Sequence, residues 1–310
     1  PSMSADGRLV SFTSDAWDLS PDDRPNTPDV FVHDRATGST KRLPADSSEP
    51  WLFSAPTIAA SGSHVVFDAV QGDGTVARVL RFDIGDARAA DLGAGAAPTV
   101  SADGTTVAFV GPGPPRRIWV HTDARTWALD GHGGAVPDGD SFAPALSEDG
   151  QRIAFVSRAG NMLERRIRSG RPQVYLQLVD GTGRIIVSAT PSGAAGHGFS
   201  GAPAIDRVGN RIVFQSQASD LGCRTRRECE TDANLVHDVF LWDRTTGHVE
   251  RISGGDRTNQ WMDPSELPGI SSDGRVVAFL SRHPISETDG RSTFDLFIKH
   301  VPSVLVRSRK

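Results

Sequence analysis

The chain has 310 residues, of which 37% are hydrophobic and 23% are charged, and its formal net charge is −5 at pH 7. This mild acidity argues against a general nucleic-acid binder, because such domains usually carry a strongly basic surface. No apolar run approaches the roughly 18 residues that a membrane-spanning helix needs, so no transmembrane segment is expected. The 32 glycines and 20 prolines predict many turns and few long helices.

The pattern P-x-x-S-x-D-G-x-x-V-x-F recurs along the chain. Its six copies begin at Pro1, Pro56, Pro98, Pro144, Pro203 and Pro268. Each copy keeps its glycine and its phenylalanine in register, although Ser61 and Val208 replace the aspartate in the second and fifth copies. Repetition in one register indicates a repeated structural unit.

Each repeat reads as four short strands. The Asp-Gly pair is typical of a tight turn, and the β-branched and aromatic run that ends at the phenylalanine is typical of a strand. A second apolar run follows in every unit, as in DVFVHD from Asp29, and several units add a polar turn and one more short strand. We call these strands a, b, c and d of an antiparallel meander.

The repeats predict an all-β fold, a six-bladed β-propeller of four-stranded antiparallel blades. Successive repeat prolines are 42 to 65 residues apart, which is the range of propeller blades. A two-sheet sandwich is the alternative, but it needs no sixfold register. We expect one domain, residues 1–310, with blades at approximately 1–54, 55–96, 97–142, 143–201, 202–266 and 267–310. Residues 304–307 are expected to supply the last strand, unless an upstream segment completes the ring.

The phenylalanines of the repeat should occupy equivalent buried positions between blades. They are Phe12, Phe67, Phe109, Phe155, Phe214 and Phe279.

The repeat, with the D-V-F-V-x-D-R-x-T-G segment that follows it, resembles the PD40 (WD40-like) repeats of TolB-like β-propellers. The resemblance extends from Pro1 to about Val306. It implies a propeller fold and, for most members, a protein-interaction role in the bacterial envelope. Related propellers also gate serine peptidases or catalyse lyase reactions.

A meander places alternate connections at opposite ends of each sheet. The a–b and c–d turns are short and share one end, which we call the turn end. The b–c and d–a connections share the other, which we call the loop end, and they are long and irregular: residues 14–28, 157–172, 216–237 and 281–294, and residues 45–55, 136–143, 190–202 and 254–267. Long loops on a rigid scaffold usually carry recognition, so the loop end is the predicted functional surface.

Two groups of loop-end side chains are candidate ligand contacts. The aromatic group is Trp51, Phe53, Phe142, Phe199 and Trp261, and the basic group is Arg165, Arg166 and Arg168. The aromatic rings could grip a ligand or pack the loops onto the blades. The arginines could meet a phosphate, an acidic glycan or a carboxylate, or be neutralised by neighbouring acidic residues such as Asp138.

No local catalytic motif stands out. Ser200 lies in residues 196–201, but this segment is not G-x-S-x-G and no helix pattern follows it. A site assembled from several blades would need imidazoles at the loop end, and the weak candidates are His132, His197, His237 and His283.

The segment before the fifth c strand carries two further candidates. Cys223 and Cys229 are close enough in sequence to form a disulfide, which would suit a secreted or periplasmic protein, or they are two reduced thiols. Asp232, Asn234 and Asp238 resemble part of a calcium loop, although the central glycine and bidentate glutamate of an EF-hand are missing, and Asp and Asn also nucleate turns. No other cofactor is expected.

The leading functional hypothesis is a secreted or periplasmic, TolB-like, monomeric binding module. Its partner would be a protein, a peptide or an envelope ligand, held at the loop end without catalysis. The alternative is a propeller enzyme, a lyase or hydrolase whose acid–base groups converge from several blades at the mouth of the central channel.

Overall fold

The structure is a computed structural model that describes residues 1–21, 28–43, 51–71, 77–167, 170–222, 236–254, 261, 263–283 and 294–302, without the side chain of Trp51. The described residues are all-β, apart from a short 3-10 turn at His132–Gly134. No described helix is long and apolar enough to cross a membrane. The chain divides into two compact units, Pro1–Leu129 with Glu148–Gly150, and Asp130–Ser147 with Gln151–Lys310.

Unit 1 contains three antiparallel four-stranded sheets, each formed by consecutive strands. Sheet 1 is β1 (Ser2–Met3), β2 (Leu9–Ser14), β3 (Asp29–Asp34) and β4 (Ser39–Leu43); sheet 2 is β5 (Trp51–Ile58), β6 (His64–Gln71), β7 (Ala77–Asp83) and β8 (Arg88–Ala94); sheet 3 is β9 (Ala96–Val100), β10 (Val107–Val110), β11 (Ile118–Thr122) and β12 (Arg125–Ala128).

Unit 2 contains the next three sheets. Sheet 4 is β13 (Ser141–Leu146), β14 (Arg152–Ser157), β15 (Gln173–Leu178) and β16 (Ile185–Ile186); sheet 5 is β17 (Ser200–Ile205), β18 (Arg211–Ser216), β19 (Asp238–Asp243) and β20 (His248–Arg251); sheet 6 is β21 (Ser265–Ile270), β22 (Val276–Ser281) and β23 (Asp295–His300).

Sheet 6 has three strands among the described residues, and the segment expected to supply its fourth strand, residues 304–307, lies outside them. The same sheet also exposes Leu296 and Ile298, whereas Val239 and Leu241 at the matching positions of sheet 5 are buried.

The conserved spacing of the repeat has a direct physical cause at the turn end. In sheet 3, the Ser101 hydroxyl donates to Asp103 Oδ1, and that oxygen also accepts from the Thr105 backbone N–H at 3.0 Å. Gly104 follows with φ of +84°, in the left-handed region where glycine is tolerated at no steric cost. The S-x-D-G sequence is therefore a self-contained turn.

The signature phenylalanines form the core as predicted, with one exception. Those of sheets 2 to 6 are buried, and in unit 2 Phe214 packs between sheets 4 and 5 while Phe279 packs between sheets 5 and 6. Phe12 is half-buried and stacks on Phe31, with ring centroids 5.6 Å apart.

A bulge interrupts the first strand of sheets 2 to 6 just before the repeat proline. The residues there are Ala55, Ala97, Ala143, Ala202 and Leu267, and each has φ between +47° and +53°. Positive φ is uncommon outside glycine, and a bulge is a usual place to find it. In two sheets a side chain of the preceding sheet holds the bulge: Asp68 Oδ2 accepts from Ala97 N at 3.2 Å, and Gln215 Oε1 from Leu267 N at 3.0 Å.

Candidate functional site

Unit 2 carries a row of polar and aromatic side chains at the loop end of sheets 5 and 6. We call it the loop-end row, and it comprises His197, Phe199, Asp220, His237, Trp261, Asp263, Glu266 and His283. Most of these residues lie just before a strand a, just after a strand b or just before a strand c. Glu266 is the second residue of β21. Antiparallel pairing brings all of these positions to one end of the sheets.

Hydroxyl pairs fix the strand ends beneath the row. Ser200 and Ser216 share a hydrogen bond of 2.9 Å, and the Ser265 hydroxyl donates to that of Ser281 at 3.1 Å. All four serines are buried. Ser200 therefore serves as a structural clamp, and its hydroxyl is not exposed as a nucleophile would be.

His197 and Asp220 form the best-aligned pair of the row. His197 Nδ1 lies 2.8 Å from Asp220 Oδ2, while the backbone N–H of His197 donates to Asp220 Oδ1 at 2.9 Å. The imidazole is nonetheless 87% exposed. With Nδ1 directed at the carboxylate, the pair presents Nε2 to solvent, where it can accept a hydrogen bond from a ligand.

His237 lies between two neighbours from different sheets. Its Nδ1 is 3.3 Å from Glu266 Oε1, and its ring centroid is 5.7 Å from that of Phe199. The next residue after Glu266 is Leu267, an exposed leucine at the strained bulge position where the other sheets carry alanine. The carboxylate and the imidazole of the row thus lie next to an exposed aliphatic residue.

His283 completes the row against a buried tryptophan. Its ring stacks on Trp261 with centroids 4.2 Å apart and planes 8° apart, and its Nδ1 lies 3.9 Å from Asp263 Oδ2. Trp261 also packs on Phe279 and Phe297. Stacking on the buried Trp261 ring therefore orients the His283 imidazole.

The structure corrects the aromatic part of the predicted site. Phe53 is not a loop residue: β5 begins at Trp51, and Phe53 is 1% exposed and packs edge-on against Phe67. Trp261 is also buried, so its role is to support His283 rather than to contact a ligand directly. Phe142 lies in β13 beneath the Arg158 guanidinium, 5.8 Å from the ring centroid. The Trp51 side chain lies outside the described part of the chain.

The predicted basic run is partly neutralised. Arg166 forms an ion pair with Asp138, as the network interpretation required. Arg165 is exposed, and Arg168 lies outside the described residues. Arg171, from the same run, donates to the backbone oxygen of His197 at 2.5 Å, so it supports the loop-end row.

His132 stands apart from the other candidate histidines. Its backbone N–H donates to Asn161 O at 2.8 Å, and its side chain is exposed in the 3-10 turn. Across the described residues, no group of three or more His, Cys, Asp or Glu side chains is placed to hold a metal ion.

The calcium and disulfide predictions depend on a segment that the structure leaves out. Cys223, Cys229, Asp232 and Asn234 all lie outside the described residues. Asp238 is described: it is buried at the start of β19, accepts a 2.7 Å hydrogen bond from the Ser253 hydroxyl, and lies 3.7 Å from Arg251 Nη1. A cationic neighbour at that distance competes with a calcium ion for the same carboxylate.

Two residues that the sequence analysis did not select also stand out, both in unit 1. Trp17 is 70% exposed at the loop end of sheet 1, and the D-A-W-D sequence around it could have indicated an exposed tryptophan.

Asp68 is buried, and burial raises its pKa to about 6 even though Ala97 N donates to it. Asp68 directly follows a signature phenylalanine, a position that carries no charge in the other repeats.

Comparison with solved structures identifies the fold. The chain is similar to TolB of Acinetobacter baumannii, with 14% identity, 94% of this chain and 63% of that chain covered, and a TM-score of 0.51. It is also similar to an oligogalacturonate lyase of Vibrio parahaemolyticus, with 14% identity, 97% and 76% covered, and a TM-score of 0.59. The fold is that of the six-bladed β-propellers.

The fold is shared by proteins of different activity. An acylaminoacyl peptidase of Pyrococcus horikoshii is similar as well, with 12% identity, 91% of this chain and 41% of that chain covered, and a TM-score of 0.56. No family model and no curated protein sequence matches the chain. Because the propeller fold hosts unrelated functions, the function has to be argued from the site.

Proposed function

We propose that this propeller is a secreted or periplasmic binding module, and that it holds a protein, a peptide or an envelope ligand at its loop end. The observation that carries the proposal is the loop-end row of unit 2. Its three imidazoles are each oriented by a neighbouring carboxylate, and that of His197 is largely open to solvent, which is an arrangement that recognition surfaces use.

The turn end supports the proposal by contrast. There the aspartates of the repeat bond their own backbone: Asp6 accepts from Arg8 N, Asp103 from Thr105 N, and Asp273 from Arg275 N. Side chains used in this way stabilise turns and offer fewer groups to a partner. The side chains of the loop-end row are instead paired with one another.

An enzymatic function is the second candidate, and one observation favours it. The His197–Asp220 pair has the orientation of a general base, with Nδ1 at the carboxylate and Nε2 exposed. The Asp220 carboxylate orients the imidazole, and the exposed Nε2 can accept a hydrogen bond from a ligand whether or not a reaction follows.

A photo-crosslinking experiment tests the binding proposal. A photoreactive amino acid at position 197 reports on the loop end, and one at Arg207, an exposed residue of the a–b turn of sheet 5, reports on the turn end. In cells that make the protein naturally, we expect a discrete adduct from position 197 and none from position 207. Adducts from position 207 alone, or none from either position, would contradict the proposal.

The compartment is tested through the cysteines. In an oxidising compartment, Cys223 and Cys229 should be paired. Thiol titration of the denatured, unreduced protein from its natural host should then find no reactive sulfhydryl. Two reactive sulfhydryls would argue against a secreted or periplasmic location.

A further inference from the structure

Trp17 is an exposed aromatic side chain close to the end of a strand. It lies three residues beyond the end of β2, at the loop end of sheet 1, and is 70% exposed. The backbone before it is held by a local turn, in which Ala16 N donates to the Ser14 hydroxyl at 3.1 Å. Such a large exposed ring is a candidate contact residue, since tryptophan is enriched at contact surfaces.

The other described tryptophans are covered. Trp242 and Trp261 are buried in the core of unit 2. In unit 1, two half-buried tryptophans each lie under an arginine that stands two residues earlier: Arg117 is 5.8 Å from the Trp119 ring centroid, and Arg125 is 4.4 Å from that of Trp127.

Trp17 is flanked in the sequence by acidic residues, whereas Trp119 and Trp127 are each preceded by an arginine. Asp15 takes the place that arginine has before Trp119 and Trp127, and Asp18 follows directly. Both aspartates are exposed, and among the described residues neither has an ion-pair partner and no cation lies over the Trp17 ring. A ring face with two adjacent carboxylates attracts a cation, both through the ring quadrupole and through Coulomb attraction.

We propose that Trp17, Asp15 and Asp18 form a docking site for an arginine side chain of a partner protein. A guanidinium can stack on the indole and donate to a carboxylate at the same time, which an ammonium group does less well. The proposal rests on the binding function proposed above and adds the chemistry of the partner, a segment that presents arginine.

Peptide binding tests this site with a defined probe. We would titrate the purified chain into a fluorescein-labelled Gly-Ser-Arg repeat peptide and into its lysine and citrulline analogues, and measure anisotropy at low and physiological salt. The variants are Trp17→Ala, the double variant Asp15→Asn with Asp18→Asn, and Trp127→Ala as a matched control. Because Trp17 is exposed, its variants should keep the parent melting temperature.

The arginine peptide should bind most tightly, the lysine peptide less tightly and the citrulline peptide least. Trp17→Ala and the double Asp variant should each weaken arginine-peptide binding by about fivefold or more, and Trp127→Ala should leave it unchanged. Equal affinity for arginine and citrulline peptides, or an unchanged affinity of Trp17→Ala, would overturn the inference. If the Trp17 site fails while position 197 still forms an adduct, the proposed binding function stands and only the arginine site is rejected.

Discussion

The two ends of the sheets use the same residue types in different ways. At the turn end, Ser101, Asp103 and Gly104 form a turn that bonds to itself. At the loop end, His197 and Asp220 stand 23 residues apart in the chain and bond to each other across two loops. Polar side chains at the turn end therefore stabilise the sheet, whereas those at the loop end form a surface.

The largest expected effect concerns the backbone that supports the loop-end row. A Cβ at Gly198 would lie 2.2 Å from Ala218 N, a backbone atom that cannot move aside cheaply. We expect Gly198→Ala to lower the free energy of unfolding by about 3 kcal/mol. Gly193, on the same loop, has φ of +78°, and a Cβ there would meet no atom within 4 Å. Gly193→Ala should therefore lower the free energy of unfolding only by the cost of a left-handed alanine, about 1 kcal/mol. Equal losses in urea unfolding would contradict this account of the loop.

The second effect depends on pH and concerns Asp68, between the two ends of sheet 2. Its folded-state pKa of about 6 is above the ordinary 3.8, so the folded protein binds the extra proton, and stability should fall as pH rises from about 4 to about 6. Asp68→Asn should remove that loss and raise the free energy of unfolding at pH 7.5 by about 1–2 kcal/mol. Asp86 is an exposed aspartate of the same sheet, and Asp86→Asn is the control. No gain at pH 7.5, or a gain that persists at pH 4, would show that Asp68 is not held as described.

The third prediction tests the turn end. Asp103→Ala removes the acceptor of the Ser101 hydroxyl and the Thr105 N–H, and should cost about 1 kcal/mol in unfolding free energy. Asp86→Ala makes the same change of charge and should cost less than about 0.5 kcal/mol. Ligand capture should be unaffected by either variant. A loss of capture in Asp103→Ala would mean that the turn end also binds.

The smallest effect on stability is expected at the loop-end row itself. His197 is 87% exposed, so His197→Ala should change the unfolding free energy by less than about 0.5 kcal/mol. The same substitution should weaken, but not abolish, the adduct formed from a photoreactive residue placed at His283, because the other side chains of the loop-end row remain. An adduct of unchanged yield together with unchanged stability would mean that His197 is an ordinary surface residue.

The sequence was sufficient for the fold because the repeat is local. The turn formed by Ser101, Asp103 and Gly104 closes within a few residues, and the short apolar run through Phe109 forms a strand that is buried along its whole length. The first strand was harder to place. Its bulge lets β5 start at Trp51, five residues before the repeat proline, so Phe53 was assigned to a loop although it lies in the core.

The site could be predicted less well, because its contacts join distant positions. The sequence identified His197, His237 and His283 as loop-end histidines, but it did not reveal that each has its own carboxylate, Asp220, Glu266 and Asp263. These pairs depend on how neighbouring loops are held together, which no local pattern reports. Trp17 was not predicted as a contact residue, because its loop joins strands b and c, whereas the predicted aromatic contacts were assigned to the d–a loops.

The most direct test of the central claim is hydrogen–deuterium exchange of unit 2 with and without the partner that crosslinks to position 197. The account predicts slower exchange on binding in the segments around His197, His237 and His283, and unchanged exchange in the turn segments around Arg207 and Asp273. Protection of the turn segments, with the loop segments unchanged, would contradict it.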